Sequence, residues 1–406
     1  MAITLNNRPS VITPGFNQMM FKATSNQTAQ PNFKYYIQIN VDGNVLSPLV
    51  LPARPTGEVI FDIQPLVQDY LKNYFPINTY GWQQCTKSII NVTVNIGERY
   101  GATPTIYAGT TETYKPYYAS LSNEQMTTYD PVPYTFLAGQ SLNNYGSVIR
   151  ATSLDNLVFY WLLSNAGELN TVRVRTYNTA GVLQSDSYII NPLTSVSTTN
   201  QLICIDLGLP GLAGLTAPQV TGTFPIATSG IKTIIYTFKD SLFFEKEYRL
   251  SVEDCCNTGE ELENTLYYVN SKGAFDHINF CTRVKEDLTA TQTTYRPIEQ
   301  YFKTSYRNSG GTLVNSSLPL NQNLKVLGNT YEKIKTFTSA PLTESEYTML
   351  QDCFNSPAMI LKRGSKYEYI SNQNLNFSFK KKVIEKVIQF VMTAKNNLIE
   401  KRQSHG

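Results

Sequence analysis

The sequence predicts a mainly β protein: tandem immunoglobulin/fibronectin-like β-sandwich units, followed by a C-terminal α+β unit with one or two short helices. Three observations carry this expectation. Strand-forming side chains are abundant, with 27 Tyr among 406 residues, and Tyr, Thr and Val fit a half-buried pleated surface. Short alternating runs recur, separated by turns that carry Gly, Asn and Pro. At 406 residues the chain also exceeds one ordinary core, so two or three domains are expected.

The first expected unit, residues 1–130, is a sandwich with an inserted helix. Phe33–Val41 places Tyr35, Ile37, Ile39 and Val41 on one face; Asp42-Gly43-Asn44 is a turn, and Val45–Leu51 returns. Val59–Phe61 is a further strand. Asp62 can cap a helix near 62–75, because Ile63, Leu66, Val67, Tyr70, Leu71 and Tyr74 recur every three or four residues until Pro76. Ser88–Gly97 alternates again, with Ile90, Val92, Val94 and Ile96 facing one way.

Thr127–Pro133 is a proline-bearing polar stretch and the candidate boundary. In the second unit, residues 131–255, Val158–Leu163, Val172–Tyr177, Ser187–Ile190, Leu202–Leu207, Ile231–Phe238 and Lys246–Val252 read as strands. Residues 208–230 are rich in Gly and Pro and read as a long loop. Lys34–Leu46 and Thr171–Leu183 share the plan of an alternating strand, a Gly turn and Val-Leu, which any hairpin can show.

The third unit, residues 256–406, begins with a hairpin: Leu266–Val269, the turn Asn270-Ser271-Lys272-Gly273, and Phe275–Phe280. Leu318–Leu327 and Tyr331–Thr338 read as strands. Thr343 with Glu346 forms a capping box for a helix near 344–354, which Asn355-Ser356-Pro357 stops. Ala358–Leu361 and Lys366–Ile370 make a second hairpin. Leu375, Phe377 and Phe379 alternate with polar residues. Val383–Thr393 fits either period and is read as strand, since five of its residues are Val or Ile.

Composition narrows function. Lys and Arg number 34 against 31 Asp and Glu, without the basic excess that wrapping nucleic acid requires. The one basic run, Lys380–Lys382, reads as a strand end or turn. Met1–Phe16 lacks the apolar core of a signal peptide, and no apolar run reaches the ~18 residues of a spanning helix, so neither export nor a membrane segment is expected. Cys85, Cys204, Cys255, Cys256, Cys281 and Cys353 lack the spacing of a disulfide scaffold and suit a reducing cytoplasm.

A triad needs a histidine, and only His277, within a strand, and His405, beside the chain end, exist. Cys255, Cys256, His277 and Cys281 are the candidate zinc ligands. Adjacent cysteines on a strand face opposite ways and lack a knuckle's two-residue spacer, so no metal is expected. Glu253, Asp254, Glu260, Glu261 and Glu263 read as a solvated run rather than a glycosidase pair. No catalytic, cofactor-binding or metal-binding residue is assigned, and the chain is not expected to be an enzyme. Its tyrosines suit sugar stacking and protein interfaces equally.

Four segments, Asn32–Val45, Phe61–Leu71, Tyr267–Phe280 and Leu342–Leu361, together resemble virion structural proteins of tailed bacteriophages, including crAss-like and other Bacteroidota phages. The likeness is clearest at the Asn-x-x-Gly-x-Phe-Asp pattern of Asn270–Asp276. It implies a structural protein of the virion: a homo-oligomeric ring in the neck or tail, assembled in the host cytoplasm, joining portal to tail around the DNA path. Copies of itself and other neck or tail proteins would be its partners, and DNA would pass without sequence-specific binding. The alternative is a tail module that binds host-surface glycans.

Overall fold

The computed structural model describes residues 3–135, 141–163, 168–195, 201–239, 245–253, 264–280, 283–295, 306–307, 309–311, 313–314, 325–364, 366–370, 375–382 and 387–396. Strands take up 51% of the chain and helices 12%, so the protein is mainly β with several sheets and few short helices. Backbone contacts divide it into two compact units, Met1–Asn279 with Thr343–Ile370, and Phe280–Leu342 with Ser371–Gly406.

The larger unit opens with two sheets around a shared core. One is antiparallel, in the order β1 (Ile3–Asn7), β3 (Met20–Ser25), β7 (Glu58–Asp62). The other runs β2 (Ile12–Pro14), β10 (Thr105–Tyr117), β9 (Val92–Tyr100), β4 (Lys34–Val41), β5 (Asn44–Val45), with β6 (Leu49–Leu51) also on β4. Tyr35, Ile37, Ile39 and Val41, the alternate residues of β4, are buried with Phe21, Phe61, Val92 and Val94. The period-2 pattern of the sequence is therefore the packing pattern.

Next come three stacked layers. A six-stranded sheet has the order β11 (Val148–Thr152), β18 (Glu245–Glu253), β17 (Ile231–Lys239), β13 (Thr171–Asn178), β14 (Leu183–Ile190), β16 (Val220–Gly222). The middle sheet is β12 (Val158–Leu163), β15 (Gln201–Asp206), β8 (Trp82–Gln84). The third is β20 (Phe275–Asn279), β19 (Asn264–Val269), β25 (Met359–Arg363), β26 (Lys366–Ile370). Phe159, Trp161, Ile203 and Ile205 of the middle sheet pack against Val172, Tyr236 and Phe238 of the six-stranded one. Val158, Tyr160, Leu162 and Cys204 share a separate cluster with Tyr267, Val269, Phe275 and Ile360. Every residue of β12 is consequently buried.

The smaller unit holds a sheet of β21 (Arg283–Tyr295), β24 (Lys325–Thr338), β28 (Val387–Asn396) and β27 (Leu375–Lys382), plus a two-stranded ribbon of β22 (Tyr306–Arg307) and β23 (Leu313–Val314). Phe280, Phe337, Phe377 and Phe379 cluster, with Phe390 in contact with Phe280, Phe377 and Phe379. Val387 onward is strand, as read from its β-branched residues; residues 383–386 lie outside the described residues.

Helices are short: α1 (Gln64–Val67), α2 (Asn123–Thr127), α3 (Leu209–Ala213) and α4 (Glu344–Met349). The helix expected over 62–75 stops early. After α1 a single 3-10 turn reaches Tyr70, and Leu71 is already extended. There the backbone turns away to pair Lys72 N–H with the Lys87 carbonyl at 2.9 Å. Beyond Val67 the apolar spacing thus reports burial, as of Leu71, without helical geometry. Residues 208–230 are not a plain loop either. They hold α3, a 3-10 turn at Ala217–Gln219 and β16, which pairs with β14. Pro210 and Pro218 stand in first turns, where a missing N–H costs nothing. The helix near 344–354 is present as α4 with a 3-10 continuation to Asn355, opened by the Thr343–Glu346 capping box.

Candidate functional site

The hairpin of β19 and β20 lies at the centre of a buried polar network. In its turn, Asn270 Oδ1 accepts from Lys272 N–H (3.0 Å) and Ala274 N–H (3.1 Å). Asn270 Nδ2 donates to Asp276 Oδ2 (2.9 Å) and to the Leu142 carbonyl (3.0 Å). Gly273 has φ +88°. The Asn-x-x-Gly-x-Phe-Asp pattern is thereby explained. Asn shapes the turn and holds the Asp, Gly supplies the left-handed residue, and Phe275 enters the core.

Asp276 is fully buried. Besides Asn270 it accepts from Asn143 Nδ2 (3.2 Å) and Asn144 N–H (3.2 Å). Burial pushes its pKa up to about 7, outweighing these donors, which favour the carboxylate. Asn143 also donates to the Val158 and Phe275 carbonyls at 3.1 and 2.8 Å, and so ties β12 to β20. Lys272, half-buried at the turn, has its pKa lowered by burial.

His277 faces the other side of β20. Its Nε2 lies 3.3 Å from the Arg150 carbonyl and its Nδ1 3.1 Å from the Tyr145 hydroxyl. A carbonyl only accepts, so Nε2 carries the proton and Nδ1 accepts from Tyr145. Burial lowers its pKa. Both nitrogens are thus engaged by partners within the fold, the Nδ1 lone pair by the Tyr145 hydroxyl.

A second buried node links the layers. Asp155 accepts from Thr152 N–H (2.7 Å), Asn279 Nδ2 (2.8 Å) and the Thr265 hydroxyl. Asp206 accepts from Leu157 and Gly208 N–H (both 2.9 Å) and Asn156 Nδ2 (2.5 Å), and burial raises its pKa. Lys362 Nζ donates to Asn156 Oδ1 at 2.7 Å, as does the Tyr367 hydroxyl. Sequence reading passed over Asp155, Asp206 and Lys362. A single Asp beside a strand looks like an ordinary turn residue, and its partners lie far along the chain.

Of the residues weighed for chemistry, Glu253 lies 3.6 Å from Arg150, whose guanidinium also holds Glu346. Cys85, Cys204 and Cys353 are free and buried. Lys380–Lys382 fall on β27. Cys255, Cys256, Cys281, His405, Asp254, Glu260, Glu261 and Glu263 lie outside the described residues. Among the described residues no group of three or more His, Cys, Asp and Glu could hold a metal, and no helix is long and apolar enough to cross a membrane.

Two surfaces border this framework. A cavity of about 690 Å³ opens beside the hairpin turn, lined by Phe16, Tyr118, Glu124, Ser271, Asp352 and Asn355 among others. Elsewhere, sheet edges carry large exposed side chains: Val45 on β5 (67% exposed), Val148 on β11 (57%) and Tyr369 on β26 (69%). No protein-family model and no curated protein matches the chain.

Proposed function

We propose that this chain is a structural subunit of a tailed-phage virion, forming an oligomeric ring in the neck or tail that joins the portal to the tail around the DNA path. Its β layers act in this reading as tandem immunoglobulin/fibronectin-like sandwiches, and copies of itself and other neck or tail proteins are its partners. It has no catalytic role. The observation that carries the proposal is the pair of edge strands β5 and β26 with exposed Val45 and Tyr369, since an edge strand with exposed apolar side chains is a template for another chain. Two further features support it. Buried Asp155, Asp206 and Asp276 have their hydrogen bonds met by the fold's own groups. A net charge of +3 lets DNA pass without being gripped.

Light scattering and negative-stain microscopy of the purified chain test the proposal. Closed rings are expected. A chain that stays monomeric at high concentration, alone and with its neighbouring virion proteins, overturns it.

A further inference from the structure

We infer that the cavity beside the hairpin turn binds a neutral saccharide unit. Its volume, about 690 Å³, is that of a small-molecule site. One wall is aromatic: Phe16 and Tyr118 meet edge to face with centroids 4.8 Å apart. The polar lining sets the carboxylates of Glu124 and Asp352 beside hydroxyls and amides that both donate and accept, Ser122, Gln125 and Asn355 among them, and among the described residues no Lys, Arg or His lines it.

The site is also built. Asp352 Oδ2 accepts from Asn144 Nδ2 (2.9 Å), Ser271 N–H (3.0 Å) and the Ser271 hydroxyl (2.9 Å). Three donors on one oxygen fix the carboxylate before any ligand arrives and leave Oδ1 as an oriented acceptor. The facing wall is braced in the same way: Asn17 exchanges two 2.8 Å hydrogen bonds with the Leu121 backbone, and Ser120 N–H donates to the Ser271 carbonyl at 2.9 Å.

Oriented carboxylates beside an aromatic wall match a ligand that offers several hydroxyl donors and an apolar C–H face, which is a sugar ring. With two carboxylates and no cation among its described lining residues, the cavity disfavours phosphates, uronates and sialates by like-charge repulsion. Ring assembly neither requires this pocket to be filled nor forbids it.

The test is saturation-transfer NMR and calorimetry on the full chain with glucose, galactose, mannose, N-acetylglucosamine and their disaccharides, alongside methyl glucuronide, sialic acid and ethanolamine. At least one neutral sugar is expected to bind and the charged probes are not. Asp352→Asn should weaken that binding at least about tenfold, the size of a lost hydrogen bond to a charged group. Glu124 is exposed, so Glu124→Gln, expected to weaken binding severalfold with an unchanged melting curve, serves if Asp352→Asn unfolds. No binding by any neutral sugar, tighter binding of ethanolamine or an acid sugar, or unchanged affinity in a folded variant would each overturn the inference.

Discussion

Gly273 sits against Tyr118 so closely that a Cβ built on it would lie 1.5 Å from the Tyr118 carbonyl oxygen. The hairpin turn and the segment leaving β10 thus meet backbone to backbone. Gly273→Ala would add this clash to the strain of φ +88° and should cost about 3 kcal/mol or more. Gly43→Ala is the control. That turn has φ +87° with nothing within 4 Å, so the loss should be about 1 kcal/mol. Urea denaturation midpoints of the two variants check the contrast.

The buried Asp276 gives stability a definite pH dependence. Its carboxyl, ordinarily at 3.8, is held at about 7 in the fold. Between those values the folded chain keeps a proton that the unfolded chain releases. The contribution is therefore complete below 3.8 and is lost as pH rises through about 7. The total is on the order of 4 kcal/mol. Denaturation of the native chain, referred at each pH to Asp276→Asn, should show stability declining across this window. A flat difference would refute it.

His277, the next residue, acts with the opposite sign. Burial holds its pKa below the ordinary 6.5, so acidification protonates the unfolded chain first. Its share of stability is present above 6.5 and is lost as pH falls below that value. Replacing it by Gln should flatten the acid side of the stability profile while leaving the neutral-to-alkaline side in place.

Arg150 clasps Glu346 through Nε (2.7 Å) and Nη2 (2.5 Å), and Glu346 also accepts from the Thr343 N–H at 2.7 Å in the cap of α4. Arg150→Ala removes a two-point pair from a half-buried carboxylate and should cost about 2 kcal/mol. Arg150→Lys should recover little of it, because an ammonium cannot reproduce the fork. Chemical denaturation of both variants measures this.

If β26 is an assembly edge, Tyr369→Lys should weaken association at least about tenfold without lowering the melting temperature, because an exposed edge charge opposes pairing but touches no core. Sedimentation across a concentration series reads the change.

Much of this was legible in the residues. Wherever one face of a strand is buried and the other less so, as in β4 and β9, alternation located the strand and named its inward side chains. The cap at Thr343 and the turn at Gly273 were equally local, set by one oxygen and one absent Cβ. Distant partnerships were not legible. Nothing in Trp82–Gln84 foretells its bonding to β15, and nothing in Val158–Leu163 foretells a cover on each side. The short reach of α1 escaped notice because periodic burial does not require a helix. Asp155 and Asp206 escaped because their partners are backbone amides and residues from other elements, which leave no spacing to detect.

The middle sheet, covered above and below and completed by a strand from far upstream, has no dry half that could survive alone. Discarding the segment that supplies β19 and β25 would lay bare Val158, Tyr160 and Leu162 on a slab with water where its lid had been. The stack must therefore gain and lose its order as one body, and shortened forms of this protein should precipitate rather than persist as smaller folded pieces.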